Sequence, residues 1–169
     1  TDTDTDAGTD DTTTTTADPE TTPDWQTDEA VEWAGGGNAE VELFDPRTIH
    51  DFELELGASA QSALERSPTR YVEGRFLWNG HEIPVGIRLK GSSSLDSFRG
   101  KPSLKIDFNH VVAGLTVQGQ KKLNIHNMRY DPMKVSEELV YRMWRAAELP
   151  ASRSGYAHVT IDGSDYGLY

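Results

Sequence analysis

The chain has 169 residues, 36% of them hydrophobic, which is enough for one domain with a buried core. Its formal charge of −12 comes from residues 1–40, which hold twelve of the 28 Asp and Glu and no Lys or Arg, so the balanced remainder argues against a nucleic-acid surface. There is no cysteine, which excludes a disulfide scaffold and a thiolate zinc site, and no apolar run reaches the roughly 20 residues of a membrane helix.

Residues 1–24, TDTDTDAGTDDTTTTTADPETTPD, lack any aromatic or large aliphatic side chain and cannot bury enough surface to offset the entropy of ordering. Residues 1–39 are expected to form a disordered acidic tether, either a stalk that spaces an exported domain from a wall or membrane or a plain solubility tail. Within it, WQTDEAVEW (25–33) is suited to a turn or two of amphipathic helix, and Gly35, Gly36 and Gly37 break the chain before the domain at 40–169. A first residue Thr1 fits an export signal removed ahead of it, or a boundary set elsewhere.

In the domain, IHDFELEL (49–56) alternates as a half-buried strand does, and GASAQSALERS (57–67) is rich in helix formers. TRYVEGRFLWNGHEIPVGIRLKG reads as two strands around Asn79-Gly80, residues that tolerate the positive φ of a tight hairpin. Pro84 is expected at an edge or bulge. SLKIDF and KKLNIHN (121–127) follow as strands. DPMKVSEELVYRMWRAAELP (131–150) is expected as the main helix, capped by Asp131, with Pro132 in its first turn and Pro150 at its end. Val135, Leu139, Met143 and Ala146 give it an apolar face, widened by Val140 and Trp144. YAHVTIDGSDYGLY (156–169) reads as two strands around Asp162-Gly163, and Trp78 and Trp144 as core aromatics.

The chemistry is concentrated at VGIRLKGSSSLDSFRGKPSLKIDF (85–108). Its Gly/Ser/Lys corner is not a Walker loop, because Gly100-Lys101 is followed by Pro102 and preceded by Leu95. Alternation puts Arg88 and Lys90 opposite Ile87 and Leu89, and Ser103, Lys105 and Asp107 opposite Leu104, Ile106 and Phe108. A face bearing Arg88, Lys90 and Lys105 below Gly91, Ser92, Ser93 and Ser94 is suited to phosphate oxygens. It is equally a wet face whose cations pair with Asp107, Asp96 or Glu82. Glu137 and Glu138 lie early in the main helix, in the chain order of a kinase-type helix glutamate that holds a strand lysine. The five histidines show no metal-ligand spacing, and no G-x-S-x-G elbow is present.

Taken in order, VGIRLKGSSS, KPSLKIDF, KKLNIHNMRYDPMKVSEELVYRMW and LPASRSGYAHVTIDGSDYGLY resemble the spore-coat protein H (CotH) kinase family over residues 41–169. The family shows VGIRxRGxSS, KxSxxxxF, KLNLNxxxxDPSxxREKLAYDLF and GVPAPRxxxxxxxxNGxYYGLY. The resemblance implies an α+β, protein-kinase-like N-terminal lobe, an antiparallel sheet with one main helix. It also implies ATP as phosphoryl donor, Mg as its metal, and Ser or Thr of secreted proteins as acceptor. By position, Arg88, Gly91, Ser93 and Ser94 fall in the phosphate-side turn, Lys101 on the first lysine of KxS, Lys105 two residues beyond Ser103, and Glu137 on the glutamate of REKL, with Glu138 at the family's lysine. Lys105 lies deeper in its strand than Lys101 and is the favoured phosphate lysine, with Glu137 as its expected ion-pair partner. The acids that hold metal and orient the acceptor come, in the family, from a second lobe downstream of YGLY. This chain is therefore expected to hold only the nucleotide-binding lobe, completed by that lobe or by another chain. A secreted or surface-tethered location, lipoprotein anchoring included, goes with this reading. The alternative is a surface-displayed adhesin or structural binding module without catalysis.

Overall fold

The computed structural model describes residues 42–91 and 95–169. The tether at 1–39, the Trp25–Trp33 stretch and Ser92, Ser93 and Ser94 lie outside the described residues, as do the expectations placed on them. A short 3-10 turn, Glu42–Phe44, leads into β1 (Ile49–Glu55), α1 (Gly57–Arg66), β2 (Val72–Trp78), β3 (His81–Lys90) and β4 (Ser103–Asp107). β5 (Lys122–Ile125), α2 (Ser136–Ala146), β6 (Tyr156–Ile161) and β7 (Ser164–Leu168) follow. The strands form one α+β sheet in the order β5-β4-β3-β2-β1-β6-β7.

Local chemistry explains most of these elements. Asn79 (φ 49°) and Gly80 (φ 79°) turn β2 into β3 as a two-residue loop between the paired Trp78 and His81. Asp162 and Gly163 do the same between β6 and β7. Pro84 pairs with Arg75 of β2, whereas β4 pairs with β3 only from Gly86 to Lys90. The proline thus sits where β3 outruns β4, and its missing N–H costs that ladder nothing.

One face of every long strand is apolar and buried. Leu54, Phe76, Val85, Ile87, Leu104, Ile106 and Val159 all have 0% exposure, and Leu64 of α1 closes over them from outside the sheet. At about 25 cal/mol per Å², complete burial of each large side chain contributes about 1.5–3 kcal/mol, and this face carries the stability of the domain. The sheet curls until its β7 end meets the corner ahead of β4. There the Tyr169 hydroxyl donates to Pro102 O (3.0 Å), the Tyr166 hydroxyl to Phe98 O (2.7 Å), and Lys101 Nζ to Leu168 O.

Two expectations need correction. The sheet is mixed rather than antiparallel, because β1 and β6 run parallel from Ile49↔Tyr156 to Leu54↔Ile161, joined by a long crossover. Besides the main helix it carries a ten-residue helix at Gly57–Arg66, where the helix formers of 57–67 suit a short one, and at eleven residues the main helix is scarcely longer. Finally, α2 starts at Ser136 rather than at Pro132. Lys134 adopts φ 60°, and Asp131 uses its carboxylate to accept N–H bonds from Met133 (3.1 Å) and Ser136 (2.7 Å), making a separate turn before the helix. At the other end Glu148 at φ 59° and the Leu149 N–H bond to Trp144 O (2.9 Å) close α2 before Pro150 is reached.

The apolar face of α2 is present but does not pack. Glu138 is the helix's one buried residue, while Leu139, Met143 and Trp144 are 54%, 60% and 49% exposed. Trp78, at 2% exposure, is the core aromatic expected, and Trp144 is not. Among the described residues no helix is long and apolar enough to cross a membrane.

Candidate functional site

The register of β3, β4 and β5 assembles the polar face that alternation anticipates. Arg88 lies opposite Lys105, and Lys90 opposite Ser103; on the far side Lys105 meets Asn124, and Asp107 meets Lys122. Arg88, Lys90 and Lys105 are all half-buried, while Ile87, Leu89, Leu104 and Ile106 take the core side. Tyr71 and His110 cover one end of this face. Their rings lie 5.1 Å apart, the Arg88 guanidinium is 5.5 Å from the Tyr71 centroid, and Lys122 Nζ is 5.9 Å from it. Lys122 also pairs with Asp107 at 2.8 Å, which raises its pKa. Arg88 donates to its neighbour Leu89 O at 3.2 Å. Lys105, at the centre, makes no hydrogen bond or ion pair with any described residue. A cation held by its strand and left without a protein partner is available to an anion.

Gly91 follows β3 with φ 128°, a conformation that side chains rarely adopt, so the corner needs glycine there. The rest of the corner is tied down. Asp96 accepts the N–H of Ser97 (2.9 Å) and of Lys101 (3.3 Å), and buried Asn127 donates its amide to Lys101 O (2.8 Å) and its N–H to Ser103 Oγ (3.0 Å). Lys101, half-buried, hangs its ammonium 4.3 Å from the Tyr169 ring centroid and on Leu168 O. Burial, with a smaller contribution from Lys134, lowers its pKa, against which Asp165 acts weakly. Lys101 is thus a clamp between β7 and β4. Of the two candidate lysines, Lys105 is the one without a partner among the described residues.

A groove of about 490 Å³ runs along the β5 edge, within the range of small-molecule sites. Lys90, Lys122, Asn124 and His126 line it together with Ser152 to Ala157, Leu43 and Phe44, and with Lys134 from the turn before α2 and Glu137, Glu138 and Tyr141 from α2. Lys90, at the end of β3, brings the basic strand to this groove.

The expected Lys105–Glu137 pair is not made. Glu137 Oε1 lies 2.9 Å from His126 Nδ1, off the line of a hydrogen bond. His126 directly follows β5, whose Asn124 is the register partner of Lys105, so Glu137 is held beside that strand and not on the lysine. Glu138, at the position where the family pattern has lysine, is buried and structural. It accepts Ser154 Oγ (2.6 Å) and Arg142 Nε and Nη2 (3.1 and 3.0 Å).

Of the residues expected to bind a ligand, the fold brings Arg88 and Lys105 to one face with Gly91 after it, holds Glu137 on His126, diverts Lys101 to β7, and leaves Ser93 and Ser94 outside the described residues. His126, Lys134, Arg153 and Tyr71 join the site without having been singled out. Only the β4–β5 register could have flagged His126, which falls two residues from Asn124 on the basic face. Among the described residues no three His, Asp or Glu side chains converge where they could share a cation.

Comparison with known proteins bears on the same stretch. No curated protein matches the chain. The protein-family model described as CotH kinase protein matches residues 87–169, which run from the middle of β3 to the last residue and include every candidate named above from Arg88 to Glu137. Over residues 87–169, just under half of its length, the chain is similar to the CotH kinase protein family, as a fragment of it.

Proposed function

We propose that this chain supplies the nucleotide-binding part of a CotH-type protein kinase, corresponding to a kinase-like N-terminal lobe. The observation that carries the reading is Lys105, without a partner among the described residues, between Arg88 and Asn124 on a basic face of the family-matched segment, of which Lys90 and Asn124 line a groove of about 490 Å³. The polyphosphate of ATP would lie against Lys105, Arg88 and Lys90 under the corner that begins at Gly91, with charge-assisted hydrogen bonds to its oxygens. Bound with magnesium, ATP supplies the phosphoryl group, and the acceptor is a Ser or Thr hydroxyl of a secreted protein. This chain's own contribution is to bind and orient the triphosphate and to offset its charge. The metal-side carboxylates are assigned to a second lobe or chain that completes the site. A secreted or surface-tethered location suits such a substrate.

A second reading, a display module that binds a partner protein without chemistry, is favoured by the exposed Leu139, Met143 and Trp144 of α2. Thermal melting against ATP separates the two. The kinase reading predicts a melting temperature that rises with the logarithm of ATP concentration above the dissociation constant, and the display reading predicts no change.

A further inference from the structure

We infer that Arg153 is a second anion anchor, which makes the groove selective for a polyphosphate chain over a single phosphate. The inference rests on the phosphate reading of the basic face and extends it into the groove that Lys90 and Arg153 both line. Arg153 lines the groove in the segment that faces the β5 edge, and among the described residues its guanidinium makes no hydrogen bond or ion pair. Five unused donors on an exposed stem are unremarkable alone. What distinguishes Arg153 is how firmly its backbone is held.

Ser154 on one side donates to the buried Glu138 carboxylate at 2.6 Å, and Ser152 O on the other accepts from Arg145. Gly155 is pressed against the 3-10 turn, where an added Cβ would lie 3.0 Å from Leu43 O. The three contacts fix the segment between α2 and the start of the domain. Arg153, on a fixed backbone, and Lys90 line the same groove, which is thereby supplied with two cationic groups. A single phosphate can satisfy one of them. A chain of two or three phosphates can reach both, and a planar fork suits its terminal oxygens. Glu138 is here a positioning residue, because it touches Ser154 and not the ligand.

The test is calorimetric titration of the full chain with inorganic tripolyphosphate, orthophosphate and ATP. Tripolyphosphate and ATP are expected to bind, with orthophosphate weaker by at least about tenfold. Arg153→Ala should weaken tripolyphosphate and ATP by about tenfold, the loss of one charge-assisted contact, and leave the melting temperature of the free protein unchanged. Ser154→Ala should weaken both in part, and Arg153→Ala/Ser154→Ala should bind no more weakly than Arg153→Ala alone, a coupling that general loosening of the fold would not give. ATP affinity equal in Arg153→Ala and wild type overturns the inference and leaves the nucleotide reading standing. Equal affinity for orthophosphate and tripolyphosphate also overturns it. If neither ATP nor tripolyphosphate binds the wild-type chain, the nucleotide reading fails and this inference with it.

Discussion

Gly86 sits in the middle of β3, between Glu73 on β2 and Asp107 on β4, with the His110 ring lying directly on its Cα. A Cβ there would stand 2.4 Å from His110 Cγ and 2.6 Å from His110 Cβ, well inside van der Waals contact. Because the second atom is next to the backbone, the imidazole cannot simply swing away, and the 108–112 turn has to move. Overpacking of this kind costs about 1–3 kcal/mol. At about 2–4 °C per kcal/mol for a domain of this size, Gly86→Ala should lower the melting temperature by about 2–12 °C. Chemical denaturation monitored by circular dichroism gives the free energy directly. Replacing His110 by Gly removes both clashing atoms, so Gly86→Ala/His110→Gly should recover most of the loss measured against His110→Gly alone. A Gly86→Ala protein as stable as wild type, or a double variant with no recovery, would refute the steric argument.

Other consequences are as specific. Asp162 caps α1 from the β6–β7 turn, accepting N–H bonds from Leu56 (2.7 Å) and Gly57 (3.0 Å), and burial opposes these bonds without cancelling them, so its pKa is lowered. A lowered carboxylate pKa means stability present above the unfolded value near 3.9 and lost as pH falls through the folded one. Asp162→Asn should therefore cost about 1 kcal/mol at pH 7, and the difference from wild type should vanish towards pH 2. Tyr169→Phe removes the buried hydroxyl bond to Pro102 O and should cost about 1–2 kcal/mol in a denaturation curve. Burial raises the Tyr169 pKa, so its native form keeps a proton that the unfolded chain releases. Wild type should accordingly lose stability above about pH 10 more steeply than Tyr169→Phe does.

The strands and both tight hairpins were legible because their signals are local. Asn79-Gly80 and Asp162-Gly163 supply the positive φ values that two-residue loops need, and period-2 alternation separates Ile87 and Leu89 from Arg88 and Lys90. The β1–β6 pairing was not legible, since nothing local in IHDFELE or YAHVTI selects a parallel partner across the domain. The start of α2 was misplaced because Asp131-Pro132 is equally suited to a helix start and to an Asx turn. The structure takes the turn, with Lys134 left-handed behind it. Amphipathicity identifies the apolar face of α2 but not what covers it. At the site, the sequence supplied the basic face and the glutamate; it did not supply the β4–β5 register that sets His126 against Glu137.

The most direct test of the nucleotide-binding claim is calorimetric titration of ATP into wild type and Lys105→Ala. Lys105 is half-buried without a described protein partner, so its loss should leave the melting temperature of the free chain within about 1 °C. The account predicts measurable ATP binding to wild type and affinity at least about tenfold weaker in Lys105→Ala. Equal affinity in the two proteins, or no binding to either, would contradict it.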